Sequence, residues 1–383
     1  MIKTDKKLTD LLEFLTGKFD IEQLKNSFGE DWDITSSYLT KDMDVTHIKS
    51  GYESVLFVKK EKLAFCELNL STEISEGAIQ NNTAFLGTGE PYWKKNENDL
   101  FLFAPKENCE IIILNSKELG QPSEQKKEVS ESILKNFKKA ANNLDDYYFG
   151  YDKRYSKVYE AGADLWEADK PNESLLSFLE THGHLFEGQI IDLGCGEGRD
   201  SLFLAQKDLN VTGIDISHAA LTKARQKALD RNLTNVTFME RDVIYLRNLE
   251  NEKYDLAMNM GCLHMITEEE QRSKHIQRVF ELLKPGGHFL IDHCQENWGK
   301  GFYSIPDYEK VAKDMVIGNS IPRRIRVDGS ETEIDLEVLP YMEKKQEQLI
   351  EEVCRHGFII EYTNVTNTEA FGNSALVLFK KPF

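Results

Sequence analysis

Apolar and polar residues alternate through the second half of the chain in a pattern that predicts strands and helices taking turns. Short apolar runs that end in a loop lie at 188–198, 210–217, 236–242, 254–265 and 288–293. Apolar residues at helical spacing fill the intervals 199–208, 218–232 and 271–283. Such alternation is typical of βαβ units, so it predicts a doubly wound, Rossmann-like parallel sheet.

The C-terminal segments depart from this alternation. A helix is predicted over 341–357, with Gly357 as its stop, and two apolar runs at 358–366 and 374–381 follow it. Two strands after the last helix indicate an antiparallel hairpin at the edge of the sheet. Before that helix lies an insertion, 294–340, in which Asp328-Gly329 between alternating residues is a hairpin signal.

Residues 1–145 show a different pattern, and we interpret them as a separate α+β accessory domain of unknown role. Helical segments at 8–19 and 21–28 come first. Strand candidates follow at 54–60, 62–70, 99–105 and 109–115. The polar stretch 119–132 suits a linker or the start of a connecting helix, so the second domain is expected to span 146–383.

Charge and composition narrow the function. The 383 residues carry 47 Lys and Arg against 65 Asp and Glu, a net charge of −18, which disfavours a nucleic-acid partner. No apolar run approaches the ~18 residues of a membrane helix, and the first residues, MIKTDKKLTD, do not fit a signal peptide. The six cysteines are scattered, as free thiols in a reducing compartment would be. We therefore expect a cytoplasmic protein without membrane or metal partners.

The strongest chemical signal is the sequence from Asp192 to Gly198, DLGCGEG, at the end of the first predicted strand. Glycines at alternate positions allow a sharp turn and a close approach of a ligand to the backbone. In doubly wound sheets this is the place where ligands bind. The spacing is GxGxG, which differs from the GxGxxG of dinucleotide-binding loops.

Other signals follow at the ends of later strands. Asp215 ends the second strand and can accept from both hydroxyls of a ribose, and Asp242 follows the third, where it can accept from an adenine amino group. The loop 259–264 follows the fourth strand, and LLKPGGHFLI joins a helix to the fifth. Each signal alone is weak, but five in this order are a strong combination.

With these motifs, residues 188–293 resemble the core of a class I S-adenosylmethionine-dependent methyltransferase. GCGEGRDSLFLA, preceded by YDKRY at 151–155, is most similar to the tellurite-resistance and thiopurine methyltransferase group, and the resemblance covers roughly 150–383. It implies S-adenosylmethionine as cofactor and S-adenosylhomocysteine as product.

The resemblance also implies roles for matching positions. The residues expected to touch the cofactor are Asp192, Gly194, Cys195 and Gly196 for its methionine part, Asp215 for the ribose, Ile216, Asp242 and Val243 for the adenine, and Asn259 and Met260 beside the sulfonium. The segment 151–166 takes the place of a lid helix, in which Tyr155, Arg154 and Trp166 are candidates, Arg154 for the carboxylate. An amphipathic helix whose aromatic residues are merely core is the alternative.

Methyl transfer from a sulfonium requires a base only when the nucleophile carries a proton of high pKa. His264, after the fourth strand, is the first candidate for that base, with packing as the alternative, and His293, at the end of the fifth strand, is a weaker candidate. The insertion 294–340 occupies the place of a cap over the acceptor, and Trp298, Tyr303 and Arg324 are its candidate substrate contacts. Solvated or ion-paired arginines are the alternative there.

We therefore expect an enzyme that methylates a small-molecule nucleophile, a thiol, a chalcogen or a natural-product heteroatom, by in-line displacement. One rival is a protein or peptide methyltransferase in which residues 1–145 recruit the polypeptide. A second is a non-catalytic module that senses the cofactor. Residues 1–145 are alternatively the contact of a homodimer.

Overall fold

The computed structural model describes the chain in segments and divides it into two compact units, Met1–Tyr147 and Tyr148–Phe383. The described residues are 32–39, 45–48, 54–60, 63–68, 74–75, 78–79, 83–86, 91–94, 99–104, 109–116, 131–163, 171–247, 249–296, 319–327, 330–339, 341–368 and 372–383. The predicted helices at 8–19 and 21–28 lie outside them, as does most of the predicted linker.

The first unit contains two four-stranded sheets, both built from antiparallel pairs. Its strands are β1 (Trp32–Leu39), β2 (Thr46–Ile48), β3 (Ser54–Lys60), β4 (Leu63–Leu68), β5 (Thr83–Leu86), β6 (Pro91–Lys94), β7 (Asp99–Phe103) and β8 (Cys109–Ser116). They form the orders β1-β8-β3-β6 and β2-β7-β4-β5. Each of the four strand candidates of this region coincides with a strand, because β-branched and aromatic residues are concentrated in them.

A 30-residue helix, α1 (Glu131–Glu160), runs through the division between the units. In the first unit its Phe137 is buried against the rings of Phe101 and Phe103, both 6.4 Å away between centroids. In the second unit Val158 is buried in a separate apolar cluster that also contains Ala220 and Leu336. The boundary expected at 145/146 therefore lies inside this helix, two residues before the division at Tyr147 and Tyr148, and the helix contains no proline and only one glycine, Gly150.

The second unit is built on a seven-stranded sheet of order β11-β10-β9-β12-β13-β17-β16. Its strands are β9 (Gln189–Leu193), β10 (Asn210–Asp215), β11 (Val236–Glu240), β12 (Tyr254–Met260), β13 (Leu283–Cys294), β16 (Ile359–Thr368) and β17 (Gly372–Lys380). The first five are parallel, and β17 and β16 pair antiparallel at the edge. The predicted doubly wound sheet with a terminal antiparallel hairpin is confirmed.

Helices cover both faces of this sheet. They are α2 (Glu173–His182), α3 (Arg199–Ala205), α4 (His218–Asp230), α5 (Glu269–Leu282) and α6 (Gln346–Cys354). On one face a core that includes Ile291 and Phe289 of β13 packs against α5 and α6. On the other face a core that includes Leu290 packs against α2 and α3. Alternate side chains along each central strand therefore point to opposite faces of the sheet and pack against different helices.

The insertion contains a hairpin of β14 (Ser320–Val327) and β15 (Ser330–Glu337), in which Val327 is paired with Ser330. The hairpin expected at Asp328-Gly329 is confirmed. Trp298 and Tyr303 lie outside the described residues, and the structure places only the backbone of Arg324, opposite Glu333. Among the helices that the structure describes, none is long and apolar enough to cross a lipid bilayer.

Candidate functional site

The site lies where the strand order of the second unit reverses, between β9 and β12. Asp192 of β9 is level with Gly213 of β10 on one side and with Met258 of β12 on the other. The carboxyl ends of all five parallel strands therefore meet at one edge. Helices leave β9 and β12 toward opposite sides, and a crevice at this edge is the standard ligand position of such sheets.

The loop after β9 is shaped by glycines in the left-handed region. Gly194 and Gly196 have φ angles of 78° and 53°. A Cβ on Gly194 would lie 2.3 Å from the Cβ of Cys262, and one on Gly196 would lie 2.6 Å from the Tyr155 hydroxyl. Only glycine fits both the backbone angles and the space, so the loop is a cradle that brings bare backbone to the crevice.

Asp215, at the end of β10, is fixed by this loop. One of its carboxylate oxygens accepts from the backbone N–H of Gly196 and the other from the N–H of Ser217, both at 2.8 Å. The side chain is half-buried, so each oxygen can accept a further bond from the crevice. Asp215 is thus held in one orientation before any ligand arrives.

The adenine candidates lie next to it. Ile216 is buried directly after Asp215, and Val243 is half-buried. Asp242 is buried, and its Oδ1 accepts the backbone N–H of Ile244 at 2.8 Å. The structure therefore brings Asp215, Ile216, Asp242 and Val243 to neighbouring strand ends, as the sequence predicts.

Asp192 is 3% exposed and accepts a hydrogen bond of 2.6 Å from the Ser201 hydroxyl of α3. Burial raises the pKa of Asp192 to about 7, and the negative charge of Asp200 adds to the rise. The cost of removing a carboxylate from water explains this direction. A cation nearby would favour the ionised form.

Segment 151–166, the predicted lid, contributes one residue to the glycine loop and one to the hairpin of the insertion. Tyr155 of α1 is buried with its hydroxyl at Gly196. Arg154 is buried as well, but its Nη1 donates to the backbone carbonyl of Glu337 at 3.1 Å. That bond commits one nitrogen of Arg154 to β15, a role that the sequence did not predict, and Trp166 lies outside the described residues.

Asn259 and Met260 turn to opposite faces at the end of β12. Met260 packs on the α2 and α3 side, the side of Asp192. Asn259 is buried on the other, where its Oδ1 accepts the N–H of Cys262 (3.0 Å) and of Leu263 (2.7 Å) and its Nδ2 lies 3.1 Å from His275 Nε2. The amide of Asn259 therefore holds the following loop, and only Met260 faces the side of Asp192.

The two histidine candidates lie together on the α5 and α6 side, with ring centroids 5.8 Å apart. Burial, with the charge of Arg272, lowers the pKa of His264 to about 3 and that of His293 well below its ordinary value. His293 Nδ1 lies 2.8 Å from the carbonyl of Cys294 and must donate to it, while Nε2 accepts from Arg272 Nη2 at 3.2 Å. Both nitrogens of His293 are engaged, which leaves it no free lone pair to act as a base.

The cysteines of the cradle are not activated nucleophiles. Burial raises the pKa of both the Cys195 and the Cys262 thiol, so both are protonated at neutral pH. Cys262 packs on the backbone of Gly194.

Two side chains of this region were missed by the sequence reasoning. Arg272 is a fully buried cation within a helix rich in charge, and Asp292 is a fully buried acid beside His293 in β13. The available signal for Asp292 was its parity in LIDH, which places it on the face of Leu290 rather than of His293.

Comparison with known proteins places the same region in one group. A methyltransferase domain family matches residues 187–352. The probable thiol methyltransferase 2 of Arabidopsis thaliana is 33% identical over 162 residues, which cover 41% of this chain and 70% of the relative. A ubiquinone biosynthesis O-methyltransferase of Paraburkholderia phymatum is 27% identical over 42% of this chain and 67% of its own length.

Among solved structures, a 1,6-didemethyltoxoflavin-N1-methyltransferase of Burkholderia thailandensis aligns with a TM-score of 0.44 at 19% identity, over 62% of this chain and 90% of that one. The sequence match to the plant enzyme exceeds 30% identity across more than two thirds of that protein, and the methyltransferase domain match, residues 187–352, includes the glycine cradle. The chain belongs to the class I S-adenosylmethionine-dependent methyltransferases.

Proposed function

We propose that the second unit binds S-adenosylmethionine across β9 to β12 and moves its methyl group to a small-molecule nucleophile. The bound cofactor supplies a methyl group on a sulfonium, already attached to a good leaving group. The residues present fit it: the glycine loop turns tightly at the end of β9 against Cys262 and Tyr155, and Asp215, held by the N–H of Gly196, offers acceptors to ribose hydroxyls. Asp192 would hold the ammonium and Met260 would lie beside the sulfonium.

Tyr155 would close this seat from the lid side, and a double substitution tests that contact. Gly196→Ala is expected to weaken S-adenosylhomocysteine binding at least about tenfold, because left-handed strain adds to the clash with the Tyr155 hydroxyl. Tyr155→Phe in the same chain should restore part of the loss. The measurement is calorimetric titration of the single and double variants.

Gly162→Ala is the matched control. Gly162 has a φ of 77°, but its Cβ would have 3.8 Å to Val327, so the substitution adds the strain without the clash. It should leave the affinity near that of the wild type. A Gly196→Ala loss that Tyr155→Phe does not relieve at all would contradict the lid contact.

The proposed acceptor class rests on the observation that neither of the two described histidine candidates is suited to act as a general base. His293 is engaged at both nitrogens, and the pKa of His264 near 3 makes it a weak base at neutral pH. A thiolate or reduced chalcogen attacks without giving up a proton, so it needs only positioning at about 3–3.5 Å and exclusion of water. This observation carries the proposal of a soft, small acceptor, and the similarity to a probable thiol methyltransferase agrees with it.

A panel of acceptors tests the proposal. The full chain should methylate small thiols or hydrogen sulfide faster than phenols, amines or peptides, measured as S-adenosylhomocysteine formed. His264→Ala should change kcat with the thiol less than about threefold, whereas a base would cost 10²–10⁴-fold. Turnover confined to phenols, or a large His264→Ala loss, would favour a base-dependent oxygen acceptor. Turnover confined to peptides would favour the protein methyltransferase.

We also propose the insertion as the acceptor cap. Glu337, at the end of β15, receives Lys153 (2.7 Å) and Lys157 (2.9 Å) at the same carboxylate oxygen, Oε1. With the Arg154 bond to its carbonyl, this fixes the hairpin to α1. These contacts hold the proposed lid helix and the proposed cap hairpin together.

A further inference from the structure

A buried carboxylate without a paired cation lies at the end of β13. Asp292 is 0% exposed, and within the described part of the chain neither of its oxygens has a partner in good hydrogen-bond geometry, although the hydroxyls of Ser174 and Ser374 lie close enough to lower the pKa of its carboxyl. No cation of those residues is paired with it either. An ionised carboxylate that is removed from water and not paired with a cation is energetically unfavourable. A cationic ligand next to Asp292 would therefore be stabilised.

The side chains that face Asp292 do not supply a positive charge to pair with it. Ser174 of α2 donates to Thr366 at 3.1 Å, and Ser374 of β17 lies 2.7 Å from the same hydroxyl, so both serines are engaged with Thr366. From α3 the negative Asp200 faces it, and Arg199 is directed to Asp200 at 3.6 Å.

Burial raises the pKa of Asp292 to about 6 and the charge of Asp200 adds to the rise, while the hydroxyls of Ser374 and Ser174 and the charge of Arg199 lower it. Even with that rise, the carboxyl is largely ionised at neutral pH.

Other buried polar groups near Asp292 also lack some of their partners among the described residues. Asn172, which donates its backbone N–H to Asp200 at 2.7 Å, has a buried side-chain nitrogen that no described residue accepts from. Asp192, whose pKa is also raised by the charge of Asp200, is buried and accepts the Ser201 hydroxyl, and Arg199 is the cation that acts on all three of these acids. An excess of negative charge is therefore collected on the α2 and α3 side of the sheet.

The register places Asp292 beside the seat proposed for the sulfonium. Asp292 is paired with Met260 on the neighbouring strand, and its carbonyl accepts the N–H of Gly261 at 3.0 Å. Paired strands lie about 4.8 Å apart, and both side chains belong to the same face. The negative charge thus lies at the strand end at which the transferable methyl would sit.

The donor and the product differ in charge at that point. S-adenosylmethionine carries a positive sulfonium, and S-adenosylhomocysteine carries a neutral thioether in its place. A carboxylate that is already desolvated in the free protein stabilises a cation without further reorganisation. It has no such interaction with the thioether.

We propose that Asp292 makes the site discriminate between the two, so that the methyl donor binds more tightly than the demethylated product. The inference rests on the proposed seat of the cofactor and assigns that seat a specificity residue. Release of the product after each turnover is then favoured by the same charge that attracts the donor.

Calorimetric titration of the full chain with S-adenosylmethionine, S-adenosylhomocysteine and sinefungin, whose amine replaces the sulfonium centre, tests this at about pH 8. Asp292→Asn should lower the affinity for the two cationic ligands about tenfold and leave S-adenosylhomocysteine within about twofold. The ratio of the two affinities is the readout, because a general loss of structure would weaken all three ligands together.

Asp230→Asn, which removes an exposed charge at the end of α4, is the control and should leave the ratio unchanged. Asp292→Ala provides a second variant, and thermal melting without ligand checks that both fold. An unchanged ratio in both Asp292 variants would overturn the proposal, as would an equal loss for all three ligands. Retained S-adenosylhomocysteine binding would show that the seat itself is intact, whereas a wild type that binds none of the ligands would overturn the seat and the proposal together.

Discussion

Asp215→Ala is expected to weaken the binding of both S-adenosylmethionine and S-adenosylhomocysteine by two to three orders of magnitude, that is about 3–4 kcal/mol. Two effects combine. The carboxylate offers acceptors to the ribose, and it also holds the N–H groups of Gly196 and Ser217 at 2.8 Å. Its removal therefore takes away ligand contacts and loosens the glycine cradle at the same time.

Calorimetric titration gives the dissociation constants, and urea unfolding of the free protein gives the share that comes from the cradle. Glu187→Ala is the matched control, because it removes an exposed acid just before β9. An S-adenosylhomocysteine affinity within about threefold of the wild type would show that the ribose is not held at Asp215. Equal losses for donor and product also separate this role from that of Asp292.

Those parts of the site that depend on local sequence could be predicted. A glycine spacing after an apolar run predicts the turn from Gly194 to Gly198, and an acid at a strand end predicts Asp215, because both need only a few neighbouring residues. The doubly wound parallel sheet followed in the same way from alternating helices and strands. The hairpin at the C-terminus was readable because no helix separates its strands.

The remainder depends on which face a side chain meets. Asn259 and His293 were placed at the crevice by their position after a strand, yet one holds a loop and the other accepts from Arg272. Asp292 was passed over beside His293, although alternation turns it to the side of Asp192. Face assignment required the register of β12 with β13, which pairs residues about 30 positions apart in sequence.

Arg272 shows the same limit for a helix. In QRSKHIQRVFELL it resembles part of a solvated basic face, but it is 0% exposed. It donates to both carboxylate oxygens of Glu352, a residue 80 positions further along the chain: Nε to Oε1 at 2.6 Å and Nη2 to Oε2 at 2.7 Å. Nη1 donates to the carbonyls of Leu263 (2.6 Å) and Ile266 (3.0 Å). One guanidinium therefore joins α5, α6 and the loop after β12.

Arg272→Ala is accordingly expected to destabilise the second unit by about 3–5 kcal/mol, because the buried Glu352 loses both guanidinium bonds and keeps only the ion pair to Lys344 at 3.2 Å among the described residues, and because two carbonyls lose their donor. Urea unfolding followed by circular dichroism measures the loss. Hydrogen exchange should show faster exchange for amides of residues 261–266, the loop that follows Met260. Cofactor affinity should fall with it, since Cys262 in this loop supports Gly194.

Two further variants distinguish a buried ion pair from a simple packing defect. Arg355→Ala, which removes an exposed partner of Glu351 on the same helix end as Glu352, should leave the unfolding midpoint unchanged. Arg272→Met combined with Glu352→Leu removes both charges and should regain much of the stability, while the loop carbonyls remain unbonded and the exchange at 261–266 stays fast. If the double variant were no more stable than Arg272→Ala, the loss would come from packing and not from the weakened pairing of the Glu352 charge.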